Sequence, residues 1–217
     1  MLKDIKAFIR QEGFHGREHE RWTQVLLAKG YQKLAEFDEK QKNFRLWGRK
    51  NFDPMSRLAS TVAMEHFTAA IGWLVLYKHP ELVDKAEDPF RSALIYHIME
   101  EIEHKAVCFE LFRAAGGNYA QRIFGLLVSS LCIMYQVRIR HIYLLKQDGL
   151  WNRATKRRAR QFIWGRDGIV MALMPKIIEY LRPDFHPWST DEREDFMRAF
   201  GHYLAVDSSL AFAGVAA

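Results

Sequence analysis

Two Glu-x-x-His pairs, Glu12/His15 and Glu101/His104, stand in this 217-residue chain. On an α-helix such a pair puts a carboxylate and an imidazole one turn apart on the same face. Oxygen and imidazole donors of this kind suit iron, manganese or zinc. Fifteen Glu and nine His would produce about 0.6 such pairs by chance, so the count of two carries little alone. The register around the pairs carries more.

Positions 5, 8, 12, 15, 19, 22 and 26 advance in steps of three and four, the spacing of one buried helical stripe. They hold Ile5, Phe8, Glu12, His15, His19, Trp22 and Leu26, apolar at both ends and polar in the middle. A second stripe, Leu58, Val62, Glu65, Ala69, Gly72 and Leu76, has one carboxylate among small and apolar residues. A third, Leu94, His97, Glu101, His104, Cys108 and Leu111, repeats the polar centre. A buried carboxylate costs several kcal/mol unless it is paired or bound to a cation. Three helices with that cost at mid-stripe share one explanation, a metal centre, which neutralises carboxylates and takes neutral imidazoles as ligands. Carboxylate-bridged dinuclear bundles use two Glu-x-x-His helices and two helices with a lone Glu. Glu65 fits the lone Glu. Glu100, four residues before His104, competes with Glu101, which lies on the stripe and is preferred. Glu103 falls off the stripe and reads as solvated or as a group supporting the ligands. His19 and His97 lie one turn beyond each pair, as further ligands, as groups that orient ligands, or as proton carriers. His66 points about 100° away from Glu65 and reads as packing or support.

The elements that must position these residues are all helices. No run alternates apolar and polar residues long enough to make a strand. The pattern predicts a helix over 2–29 stopped by Gly30, then a charged, weakly patterned segment over 31–51. Asp53 as N-cap and Pro54 at the first position start a helix to 78. A third runs from Asp88-Pro89 to Gly116, a fourth over 119–147, and a fifth over 152–181 with a bend near Pro175. A last helix from about Thr190 leads into an apolar tail. The reading is one all-α domain over 1–217, with ligand-bearing helices in 1–116 and supporting helices in 117–217.

The composition is that of a soluble globular protein, at 49% hydrophobic and 27% charged residues. It excludes disorder, collagen and a disulfide scaffold. A net charge of +6 without a groove-reading motif argues against nucleic acid. No phosphate-binding glycine loop, dinucleotide fingerprint or serine-hydrolase elbow occurs. Cys108 and Cys132 lie in apolar helical patterns and read as reduced core thiols of a cytoplasmic protein. The start, MLKDIKAFIRQEG, lacks the apolar core of a signal peptide. Residues 123–137 carry no charge but are short for a span, so they read as a core helix, with membrane contact or a dimer interface as alternatives. RATKRRAR, 153–160, reads as a solvated face, with an anionic headgroup or acidic substrate as the sharper alternative.

FIRQEGFHGREH (8–19), LASTVAMEHFTA (58–69), YHIMEEIEHKAVCFE (96–110) and FHPW (185–188) together resemble a bacterial family of predicted metal-dependent hydrolases. The resemblance implies a ferritin-like helical bundle with additional C-terminal helices. It also implies Glu12, His15, Glu65, Glu101 and His104 as metal ligands. Family members are expected to begin with a further helix whose Gly-Glu pair supplies a sixth ligand. This chain has eleven residues before Glu12, so it reads as one helix short. His19, His97 or Asp167 is then left to fill the gap, and a bared apolar seam predicts lower stability or a homo-oligomer.

Two divalent metal ions are expected as cofactors, with iron favoured and manganese or zinc as alternatives. Three functions follow. The first is metal-dependent hydrolysis of an ester, amide or phosphate. The second is di-iron oxygen activation on an apolar small-molecule substrate. The third is a non-catalytic helical protein held peripherally at a membrane by Trp151, the basic cluster and the fourth helix.

Overall fold

The structure is a computed structural model and describes residues 1–189. Among the described residues there are nine helices and no strand, an all-α helical bundle. They are α1 (Leu2–Ala28), α2 (Lys33–Asn51), α3 (Pro54–Tyr77), α4 (Glu81–Asp84), α5 (Phe90–His104), α6 (Val107–Ala114), α7 (Tyr119–Gln147), α8 (Arg153–Trp164) and α9 (Ile169–Leu181).

The bundle is organised around α3, which packs against α5, α6, α7 and α9. The Asp53 side chain accepts from the amides of Met55 and Ser56, and Pro54 takes the first turn, as the sequence predicts. Small residues let neighbours approach closely. A Cβ on Gly125 of α7 would sit on the Ala59 carbonyl of α3, and one on Gly72 would lie 2.8 Å from Ile98 Cγ2 of α5. Ser129 Oγ also donates to the Ser60 carbonyl at 2.9 Å, fixing the crossing of α3 and α7.

Two apolar clusters flank the middle of α3. One joins Ala69, Leu76, Ile95, Ile98, Met99 and Ile102. The other joins Ala59, Val62, Ala63, Phe67, Cys108, Phe109, Phe112 and Leu126 with Tyr180 of α9 and Phe185 beyond it. Buried Arg122 ties α7 to the end of α9, donating to the carbonyls of Tyr180 and Arg182 at 2.6 Å each. Those carbonyls belong to the last turn and the cap of α9, where a cation is favoured.

Several boundaries differ from the sequence reading. The weakly patterned segment is the helix α2. It buries Leu34 and Phe37, and Arg140 of α7 reaches Asp38 at 2.7 Å, so two apolar anchors and a cross-helix ion pair suffice. The predicted third helix is interrupted after His104 and resumes as α6, with α6 turned toward the second cluster. The predicted fifth is cut between Trp164 and Ile169, while Pro175 lies inside a continuous α9. Helix α7 is only partly a core element. Phe124, Leu127, Leu131 and Met134, again in steps of three and four, are exposed along its outer side. Both α3 and α7 are long and apolar enough to cross a membrane by length and composition, but more than half of that stretch of α3 is buried in protein. The basic residues of α8 are exposed, and both cysteines are free, Cys108 buried and Cys132 half-buried. The helix expected from Thr190 lies outside the described residues.

Candidate metal centre

Three helices bring the polar mid-stripe residues to one place. Glu65 and His66 come from α3, Glu100, Glu101 and His104 from the end of α5, and Gln11, Glu12, His15 and His19 from α1. The predicted stripe on α3 faces inward, with Val62, Glu65, Ala69, Gly72 and Leu76 all buried. Glu101 and His104 are buried too. Helix α1 is the outer wall, and none of its residues is fully buried.

The side chains gather around the carboxylate of Glu12. On one side, His104 Nδ1 lies 3.0 Å from Glu12 Oε1 and 3.8 Å from Glu65 Oε2. On the other, His15 Nδ1 lies 3.5 Å from both Glu12 Oε1 and Glu101 Oε1. The donor atoms of Glu12, Glu65 and His104 fall within 4.8 Å of one another, as do those of Glu12, His15 and Glu101. Glu12 is common to both sets.

Glu12 Oε1, Glu65 Oε2, His15 Nδ1 and His104 Nδ1 are buried, and none makes a hydrogen bond in spite of these short separations. Four orphaned polar atoms at one point are costly in a protein interior. They converge on shared space between them instead of pairing off, which is the arrangement a cation would satisfy. The donor set, carboxylate oxygens and imidazole nitrogens, fits a divalent transition metal.

The outward sides of the same groups are held. His104 Nε2 donates to Gln11 Oε1 at 3.2 Å, which leaves the Nδ1 lone pair facing the carboxylates. His15 Nε2 and His19 Nε2 are 3.0 Å apart, and a proton donated from His15 to His19 likewise frees His15 Nδ1. The Thr68 hydroxyl donates to Glu101 Oε2. Fixing the tautomer and rotamer of a ligand in this way is common around metals. Gln11 and Thr68 were not singled out from the sequence. Gln11 adjoins Glu12, and Thr68 stands one turn after Glu65, but their partners lie on another helix and sequence spacing does not show them.

The electrostatics are those of crowded, desolvated charges. Burial works to raise Glu12, yet the close imidazoles of His104 and His15 overcome it and bring the carboxyl down to about 2. Glu65 has no such help, and burial, then the charges of Glu101 and Glu12, push it up to about 9. Burial also raises Glu101 against the Thr68 hydrogen bond, and it raises Glu100 against a hydrogen bond from Tyr96. His97 drops to about 3 through burial and the neighbouring His15 and His19. Without a cation, this cluster strains between protonated and charged forms.

The other sequence candidates sort by position. Glu100 is buried beside Tyr96 and outside both donor sets. Glu103 is exposed, and so is Asp167, which stands between α8 and α9. His66 turns away to the Lys176 carbonyl at 3.0 Å and packs on Tyr180 and Phe185. His19 and His97 form a third donor group with His15. Next to this group the Trp22 ring sits 5.0 Å from that of His19 and 5.2 Å from that of Phe90.

A family model described as "Predicted metal-dependent hydrolase" matches residues 1–191. No curated protein and no solved structure matches the chain.

Proposed function

This chain belongs to the predicted metal-dependent hydrolase family, and from that premise we propose a hydrolase with a dinuclear centre in a ferritin-like bundle. Glu12 is the shared carboxylate. Glu65 and His104 complete one position, and His15 and Glu101 the other. The observation that carries this reading is the convergence of four buried, unpartnered donor atoms from three helices. Bound divalent ions would supply a water acidified to near-neutral pKa and a Lewis acid for the ester, amide or phosphate under attack.

The protein's own part is positioning and access. Gln11, His19 and Thr68 hold His104, His15 and Glu101 so that their ligand atoms are aimed before binding. Behind Glu65, the packed face of α3 excludes bulk water. The opening lies along α1, where the Glu12 side chain is 37% exposed against 2% for His104. A small-molecule substrate therefore approaches beside Glu12, past Phe8, whose ring stands edge-on to His104 at 4.8 Å.

A second reading is di-iron oxygen chemistry on an apolar substrate. It is favoured by the apolar side chains Phe8, Val62 and Cys108, which share one cluster next to the carboxylates. Metal analysis with absorption spectra under air and under reductant separates the two. Two zinc or manganese ions per chain with no redox response support hydrolysis. Two irons with an oxygen-sensitive spectrum support the second reading. Stoichiometric metal binding should disappear in Glu65→Ala, and unchanged metal content in that variant overturns the centre itself.

A further inference from the structure

The two donor sets around Glu12 match in composition, each adding one carboxylate and one imidazole to it, and differ in what stands beside them. The side of His104 has its own terminal carboxylate, Glu65, at 3.8 Å from His104 Nδ1. The side of His15 has Glu101 in the same role, at 3.5 Å from His15 Nδ1. Only this second side has a further imidazole against it, His97, one turn before Glu101 on α5, with Nε2 3.8 Å from Glu101 Oε1. Its ring centroid is 3.9 Å from that of His15.

His97 has no hydrogen-bond partner for this position. The 3.8 Å to Glu101 is too long for a hydrogen bond, and Nδ1 is buried without a partner. A structural histidine in a core ordinarily has at least one nitrogen satisfied, as His66 does through the Lys176 carbonyl. His97 instead presents an imidazole next to two candidate ligands. His19 differs from it, because its Nε2 is occupied with His15 Nε2 at 3.0 Å.

Resting on the dinuclear reading above, we propose that His97 is the sixth ligand, added to Glu12, His15 and Glu101 at the second position, with His19 as a positioning residue for His15. The centre is then asymmetric. One position has two carboxylates and one imidazole, and the other has two carboxylates and two imidazoles. The imidazole-rich position selects a transition ion such as zinc, cobalt or iron over magnesium or calcium, which prefer oxygen.

The test uses Co(II) as the probe, added in steps to the chelator-stripped full chain and followed by its visible spectrum and by hyperfine-shifted imidazole N–H resonances. Wild type should take up two ions. His97→Ala should keep one at near wild-type affinity, bind the second at least 10-fold more weakly, and lose one hyperfine-shifted resonance. His97→Gly with added free imidazole should regain the second ion and its bands, which a merely structural histidine would not do. His97→Gln, closer in volume, repeats the measurement should the smaller residues fold poorly, and retention of the first ion reports that the bundle is intact. Two ions bound by His97→Ala with unchanged affinity and spectrum overturn the assignment. A wild-type chain that binds fewer than two ions removes the dinuclear premise instead, a separate failure.

Discussion

The Glu65 side of Glu12 and its His15 side both draw on α1 and α5, and only the first also draws on α3. Glu65 and His104 themselves stand in packed protein. Both are buried, and α3 brings apolar neighbours to within one turn of Glu65 in either direction. Around His15 the wall is α1, none of whose residues is fully buried, and the support is a relay of rings, His19, His97 and Trp22. A buried carboxylate without a partner is the more expensive object, so it is placed where packing enforces it. Imidazoles tolerate partial exposure and are placed where the helix is loosely covered. Ligand geometry on the Glu65 side is therefore expected to be held by packing, and on the His15 side by contacts between rings.

The strongest way to break the comparison is at the shared residue. Glu12→Gln should weaken both ions by at least 100-fold in calorimetric titration, since both donor sets include it; loss of a single ion would mean that Glu12 is not shared. Next, Glu65→Gln and Glu101→Gln should each remove mainly one ion, from opposite sides, and elemental analysis of the purified variants would show it. Equal loss of both ions in both variants would merge the two positions into one.

The third prediction concerns pH. Glu65 sits at about 9 in the metal-free fold, raised by burial and then by Glu101 and Glu12, against an ordinary value of 4.5. A carboxyl raised by folding stabilises the fold fully below its unfolded value, and that contribution is lost as pH climbs through 9. His97, lowered to about 3 by burial and by His15 and His19, acts in the opposite sense, but its contribution is already complete above 6.5. His15 is raised, burial notwithstanding, by Glu12 and Glu101, and so adds to the loss. Between pH 6.5 and 9 the chelated protein should therefore lose on the order of 3 kcal/mol in urea denaturation. The metal-loaded protein should not, because the ion holds Glu65 as the carboxylate. Parallel curves with and without chelator would contradict this.

The smallest effects should come from the supports. Gln11→Leu is expected to cost about 10-fold in affinity on the His104 side, and His19→Leu about 10-fold on the His15 side. Staged metal titration of the two variants distinguishes them, and a crossed pattern would reverse the assignment of tautomers.

Much of this candidate site could be read in the order of residues. That Glu12, His15, Glu65, Glu101 and His104 would meet was legible because a helix turns stripe position into direction, and a polar group at mid-stripe has to be explained. Glu101 was distinguishable from Glu100 by a single step in register. What was hidden depends on contacts between helices. Gln11 and Thr68 act on partners from α5, and α2 is a helix because Leu34 and Phe37 find neighbours that its own charge pattern does not announce. The break after His104 was also hidden, since the residues Lys105 and Ala106 carry no proline or glycine to mark it.

The shallow seating of α1 has a kinetic meaning. With no fully buried residue, this helix relies on Gln11, Glu12 and His15 for much of its grip on α5. Ions bound at Glu12 and His15 would act as rivets through the outer wall, and removing one requires the wall to lift. Ion escape is then a local opening event. In stopped-flow chelation the rate of metal loss should level off as chelator concentration rises, at a ceiling set by how often α1 detaches, and a protease should cut within α1 only once the ions are gone. A rate that keeps rising in proportion to chelator would mean that the ions sit behind an open door.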